Sequence, residues 1–246
     1  SSSPAAVPFR MNQKIKTDPW FCIELPVTAY HEALAIQHRL LNARINRVID
    51  KEMALLLEHF PVFTIGRRRG MENLAVSTDF LKKENISVVQ IERGGDITFH
   101  GPGQIICYPI VHLRSMDLTV VDFVTALEEV MIQTVADWGI GAVRNQMNRG
   151  IWIGDCKLGS IGIAVRRGVS FHGFALNVNT ALKPFDWKNP CGLAGVKMTS
   201  MKQILLKPLD LNRVYKSVKR HLQDVFDVEL IKKKSIGFTV LLNRKQ

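Results

Sequence analysis

The residue types in this chain best suited to joint chemistry are a lysine and a cysteine. Lys157 opens the run KLGSIGIAVRRG, and Cys191 sits within Asn189-Pro190-Cys191-Gly192. Proline fixes one backbone angle and removes a donor, while glycine permits close approach, so the thiol is expected on a constrained turn, presented rather than packed. Gly159, Ser160 and Gly162 leave room above a strand for a bulky ligand, which places Lys157 at the border of a cavity. A cysteine attacks as its thiolate, and a neighbouring ammonium draws the thiol pKa from about 8.5 toward neutrality; such a pair suffices as an acyl-transfer nucleophile. Composition alone assigns both residues inert roles, because free cysteine is among the most buried residue types and a single lysine is usually solvated. The surrounding sequence has to decide.

A second stretch with chemical potential is RGGDITFHGPGQ, Arg93 to Gln104, in which five glycines and prolines rule out a regular element and bend the backbone so that it can lie against a ligand. Together with KLGSIG, with HGFALNV at His172 to Val178 and with PCG at Pro190 to Gly192, it forms an ordered set of four motifs across most of the chain. That set resembles the lipoyl(octanoyl) transferase family. The resemblance implies a mixed α/β domain of the biotin/lipoate protein ligase fold that moves an octanoyl (or lipoyl) group from acyl carrier protein to a lysine of lipoyl domains of 2-oxoacid dehydrogenases and of glycine cleavage H protein, the first step of endogenous lipoate synthesis. It implies an acyl-thioester on Cys191 and Lys157 as acid and base. It also implies substrate contacts from Arg93, Gly94, Gly95, Asp96, Ile97, Thr98, Phe99 and His100, from Ser160, Ile161 and Gly162, and from Gly173, Phe174 and Ala175, with no cofactor and no metal. Glycine-bent turns near Gly162 and Gly192 are the candidates for oxyanion donors. The chain departs from the family pattern at Asp96, where glutamine is usual, and at Phe99, where tyrosine is usual. The glycines are untouched, but Asp96 adds a negative charge to the loop expected to meet the carrier's phosphopantetheine arm. His100 is expected to contact ligand, or to act as a base near the thiol.

The elements that must position these residues are legible as patterns. Phe21 to Leu25 reads as a strand, with Thr28 capping a helix from Ala29 to Ile45 that turns Ala33, Ile36, Leu40 and Leu41 inward. Met53 to Ile65 reads as two buried strand segments about Pro61, with His59 structural at the turn. Ser77 to Glu84 is expected as a short helix, Ser87 to Ile91 as a strand, and Gln104 to Leu113 as a strand pierced by Pro109, hence near an edge or a bulge, with Cys107 a packing residue. Val120 to Trp138 gives the clearest amphipathic helix, with Val121, Val124, Leu127, Val130, Met131, Val135 and Trp138 on one stripe and Gly139 and Gly141 at its end. Ile151 to Ile153, Lys157 to Val165 and Val169 to Val178 read as strands, the small residues of the last lining an acyl tunnel. Cys156 should face away from Lys157, because side chains alternate along a strand. Leu211 to Val225 reads as a helix, and Lys232 to Gln246 as a basic, weakly ordered tail.

At 246 residues the chain is read as one domain from residue 11 to 246, behind a disordered or appended segment, Ser1 to Arg10. Hydrophobic residues at 46% and charged residues at 22% match a soluble globular protein, and no apolar run is long enough to span a bilayer, so no membrane partner is expected. Four cysteines without CxxC or metal-ligand spacing fit free thiols in a reducing compartment, and cytoplasm is the expected location. The net charge of +11 calls for an acidic partner. Acyl carrier proteins and lipoyl domains satisfy that; a nucleic acid would too, but the basic residues are scattered apart from Arg67 to Arg69 and Lys232 to Lys234, and no recognition signature accompanies them. Phosphate-loop, HExxH and GxSxG motifs are lacking. An ATP-dependent lipoate ligase of the same fold remains the alternative enzyme, and a basic nucleic-acid-binding module the alternative of another class; Cys191 separates transferase from ligase.

Overall fold

A computed structural model describes residues 18–66, 74–95, 97–187 and 196–233; the segment 1–17, the arginine loop 67–69, Asp96, Cys191 and the tail from residue 234 lie outside them. In chain order the elements are β1 (Trp20–Thr28), α1 (Tyr30–Ile45), β2 (Met53–His59), β3 (Val62–Ile65), α2 (Thr78–Lys83), β4 (Ser87–Gln90), β5 (Thr98–His100), β6 (Gln104–Ile110), α3 (Val120–Ala136), β7 (Val143–Arg144), β8 (Gly150–Ile153), β9 (Cys156–Arg166), β10 (Val169–Asn177), β11 (Lys197–Met198), α4 (Met201–Leu205), α5 (Leu211–Phe226) and β12 (Leu230–Lys233). Among the described residues a nine-stranded mixed sheet runs β12-β1-β2-β6-β10-β9-β8-β7, with β11 joining β9 where β10 ends, and a small sheet runs β4-β3-β5.

Alternation along the strands sends side chains to two faces. Trp20, Leu56, Cys107, Phe174 and Leu176 point to one face, where Phe123, Leu127 and Val130 of α3 and Val218, Leu222 and Phe226 of α5 cover them. Leu55, Ile106, Tyr108 and Phe171 point to the other, where Ala33, Leu40 and Leu41 of α1 pack. The expected pair of helices thus covers the sheet from opposite sides. The α3 stripe holds Leu127, Val130, Met131 and Val135 fully inside, but Val121 is 64% exposed and Phe123 begins the buried stripe instead. A capping box starts this helix: Thr119 Oγ1 accepts the Asp122 N–H at 3.1 Å and Asp122 Oδ2 accepts the Thr119 N–H at 3.2 Å.

The structure corrects three local expectations. Thr28 does not cap α1; it ends β1 and its hydroxyl donates to Pro26 O, while Ala29 takes the cap position with no side-chain bond. The two buried segments about Pro61 form as expected and fall in different sheets: β2 is central in the large one, and β3 is the middle strand of the small one. Pro109 lies at no edge, since β6 sits between β2 and β10. It is tolerated there because the β6–β10 ladder lapses opposite it: His172 adopts φ 57° and gives its N–H to Gln37 Oε1 of α1 at 2.7 Å, and pairing resumes at Ser170 and Val111. Finally, Lys232 and Lys233 belong to strand β12, paired in parallel with Cys22 and Ile23, rather than to a loose tail.

Candidate active site

Lys157 lies near the start of β9, opposite Trp152 of β8. Register shifts by one residue just beyond that pair, so Ile151 opposes Gly159 and Leu158 is the extra residue of a bulge. Ile151 and Ile153 pack toward α3, so Trp152 between them, and Lys157 across from it, project to the opposite face. Cys156, opposite Ile153, therefore faces away from the lysine as expected. Beyond the bulge Ser160 opposes Ala175, Gly162 opposes Gly173 and Ala164 opposes Phe171, so these pairs share the face of Lys157. The result is a floor of small residues beside an ammonium. At Gly173 a Cβ would meet Cys107 O at 2.0 Å, so only glycine fits. Gly162 is at mid-strand rather than at a turn. The alternate residues Ile161 and Phe174 send their side chains to the α3 face, which leaves only their backbone to serve a ligand.

Over this floor lies the segment after β4. The Gly94 N–H donates to Ile163 O at 3.2 Å, and a Cβ on Gly162 would stand 3.0 Å from Arg93 Cδ. Arg93 is buried and its guanidinium donates to Thr64 O and Oγ1, each at 2.9 Å, and to Gly94 O at 3.0 Å, so it anchors the loop to β3. Gly94 and Gly95 are exposed above it, Gly95 with φ 86°. Ile97 and Phe99 instead fill the small sheet's core with Phe63 and Phe185, and Thr98 is half-buried.

His100 begins a buried hydrogen-bond chain. Gln104 Nε2 donates to Phe99 O and to Asn177 Oδ1, so its Oε1 faces His100 Nδ1 at 2.7 Å, and the proton resides on that nitrogen. Asn177 Nδ2 donates to Thr199 O at 3.1 Å, and the Thr199 N–H donates to Lys157 O at 2.9 Å. Two separated motifs are thereby joined to the lysine's strand. Burial, reinforced by neighbouring His59 and Arg93, holds the His100 pKa well below its ordinary value, so Nε2 offers a lone pair. His59 next to it is pushed down to about 4 by burial; its Nδ1–H donates to Thr28 O and its Nε2 accepts from Tyr108 OH. It is structural, as expected.

The described thiols separate clearly. Burial pushes Cys22 up to about 11 and Cys107 well above the usual thiol range, so neither forms a thiolate near neutrality. Cys156 is half-buried and free.

Sequence reasoning missed the residues that hold Lys157. Its Nζ donates to Asn148 Oδ1 at 2.7 Å and stands 5.4 Å from the centre of the Trp152 ring, while Trp152 Nε1 donates to Asn148 O at 3.0 Å. Behind them Glu128 of α3, wholly buried, accepts the Gly150 N–H at 2.8 Å and pairs with Arg149 at 3.0 Å. An acid set within the apolar stripe of an amphipathic helix was the available signal for Glu128; Asn148 carried none.

Residues 29–223 match the lipoyl protein ligase A/B catalytic domain family. An octanoyltransferase of Desulfotalea psychrophila is 46% identical over 84% of this chain and 93% of its own length, and one of Syntrophobacter fumaroxidans is 44% identical over 84% and 90%. In fold the chain is similar to a bipartite lipoate protein ligase from Thermoplasma acidophilum, with TM-score 0.73, 15% identity and coverage of 92% of this chain and 91% of the other. It is likewise similar to a lipoate-protein ligase A bound with ATP, with TM-score 0.71, 16% identity and coverage of 92% of both chains. Motif order, fold and relatives agree: the chain belongs to the lipoyl(octanoyl) transferase family, within the lipoyl protein ligase A/B catalytic domains.

Proposed function

We propose that this protein is an acyltransferase that moves an octanoyl group from the phosphopantetheine thioester of acyl carrier protein to the lysine amine of a lipoyl domain or glycine cleavage H protein, by way of a thioester on Cys191. The observation that carries the reading is Lys157 projecting over a floor of Ser160, Gly162, Gly173 and Ala175, in a chain whose octanoyltransferase relatives match most of its length. In the first half-reaction the Cys191 thiolate attacks the donor carbonyl, the carbon–sulfur bond to pantetheine breaks, and the leaving thiolate takes a proton from the Lys157 ammonium. In the second, Lys157 as free amine accepts the proton that the acceptor amine loses on attacking the octanoyl-Cys191 carbonyl, and Cys191 leaves as thiolate beside the restored ammonium. Arg93 and Gly94 roof the acyl site, and His100 contributes through Nε2 as a hydrogen-bond acceptor. The basic surface suits acidic carrier and acceptor domains, and the thiols suit a reducing, cytoplasmic setting.

The likeness to a ligase bound with ATP supplies a second reading, activation of free octanoate. One experiment tests both. With octanoyl-carrier as donor, intact mass should rise by one octanoyl group in the wild type and in Cys156→Ser, and not in Cys191→Ser. Pyrophosphate release from octanoate and ATP, with no acyl-enzyme, would establish the ligase instead.

A further inference from the structure

We infer that Asn148 is the positioning residue of the transfer reaction: its side-chain amide aims the Lys157 ammonium and keeps it cationic. The inference rests on the acid–base reading of Lys157 given above. An ammonium has donors only, so the 2.7 Å contact from Nζ requires the Asn148 oxygen, with the amide nitrogen turned away. The loop that presents this oxygen is built for the purpose. Asn145 Oδ1 accepts the N–H groups of Met147 at 3.0 Å and Asn148 at 3.1 Å, which folds the loop into a side-chain-closed turn. The Asn148 carbonyl is pinned by the Trp152 indole, whose ring lies 5.4 Å from the same Nζ, so one residue grips both the lysine and its aromatic neighbour.

The far end of the loop is fixed more firmly still. Glu128 takes the Gly150 N–H and the Arg149 guanidinium, and Arg149 also donates to Thr125 Oγ1 at 2.8 Å. Gly150 has φ 131°, and a Cβ there would lie 2.2 Å from Gly159 O and 2.7 Å from Lys157 Cε. The lysine stem therefore runs through space that only glycine leaves open, toward an oxygen whose loop is bolted to α3. Among the described residues the charged groups around this cradle are Glu128 and Glu129 on α3 with Arg144 and Arg149 at the rim; they pair with one another and are the same in every variant below. The amide oxygen and the indole face are neutral groups that favour a cation without cancelling its charge, which suits a lysine that must both polarise a thiol and give up a proton.

The test titrates Lys157 directly, by competitive acetylation across pH with peptide mass spectrometry, in the wild type, Asn148→Leu and Asn148→Asp. Removing the acceptor should move the Lys157 titration down and a carboxylate should move it up, each by about half a pH unit or more, and the alkaline limb of the transfer rate should follow in the same two directions. Asn148→Leu should also lower kcat about tenfold or more with the donor KM held within about twofold, the pattern of a misaimed group rather than a lost binding contact. A Lys157 titration at the same pH in all three proteins would overturn the inference, and should one variant fail to fold, the other decides it. Full transfer by Lys157→Ala would sink the acid–base reading of the lysine and leave the Asn148 titration result standing, so the two failures are distinct.

Discussion

The two faces of the large sheet solve different problems with the same strands. Toward α3 and α5 the strands present Trp20, Phe174 and Leu176 to an apolar layer in which Phe226 lies 4.9 Å from Trp20 and 5.9 Å from Phe123, ring centre to ring centre. Toward α1 and the Arg93 segment they present Gly162, Gly173 and Ala175 and enclose His59, His100, Tyr108 and His172. The first face gains stability by excluding water from large side chains. The second keeps that gain where Leu55, Ile106 and Phe171 pack on α1 and gives up part of it beside Lys157, where the side chains are small and the buried polar groups need partners. The site is thus supported from behind by the face that takes no part in it.

If that division is real, substitutions on the two faces should fail in different ways. The largest effect is expected at Phe226→Ala, which removes a fully buried ring and should cost about 3 to 5 kcal/mol in urea unfolding while the protein that remains folded transfers normally. A loss of turnover as large as the loss of stability would break the comparison. Next comes acid. The folded pKa of His59 is about 4, against about 6.5 for an unfolded histidine, so as pH falls between those values the unfolded chain binds a proton that the folded chain refuses. Stability should decline by about 3 kcal/mol between pH 7 and pH 4 from this group, with His100 adding in the same direction. Urea midpoints that stay level from pH 7 to pH 5 would contradict a polar cluster held neutral. The smallest change in stability is expected at Gly162→Ala, whose Cβ would press within 3.0 Å of Arg93 Cδ and 3.2 Å of Gly94 O. Transfer should drop about tenfold while unfolding shifts by less than about 1 kcal/mol, and the reverse ranking would place Gly162 in the scaffold.

Periodicity carried the elements well wherever one face alone decides burial. The stripe Leu127, Val130, Met131 and Val135 announced α3 because each step of three or four residues returns to the sheet. It erred at Val121, since an apolar residue in the first turn satisfies the same spacing whether or not a neighbour reaches it. Proline rules failed at Pro109 because a central strand can spare an N–H where its partner turns aside, and the turn at His172 leaves no local mark. The motifs located Arg93, Lys157 and the small-residue floor, yet treated consecutive residues alike. A strand divides them, which is why Ser160 and Gly162 share the face of Lys157 and Ile161 does not. Asn148 escaped because its importance comes from a 2.7 Å contact across a hairpin, a relation that no spacing encodes.

The chain of bonds from His100 through Gln104, Asn177 and Thr199 to the backbone of Lys157 bears on the order in which the molecule matures. Its members come from β5, β6, β10 and the start of the segment leading to α4, so it closes only when loops of some seventy and twenty residues have been drawn shut. Such distant pairings are reached late, because the entropy of closing each loop is spent before any of its contacts return stability. A nascent chain released at β9 holds the lysine but not the brace behind it. The strand that carries Lys157 is therefore secured last, by a segment that follows it in the sequence, so the lysine is braced only in the completed fold.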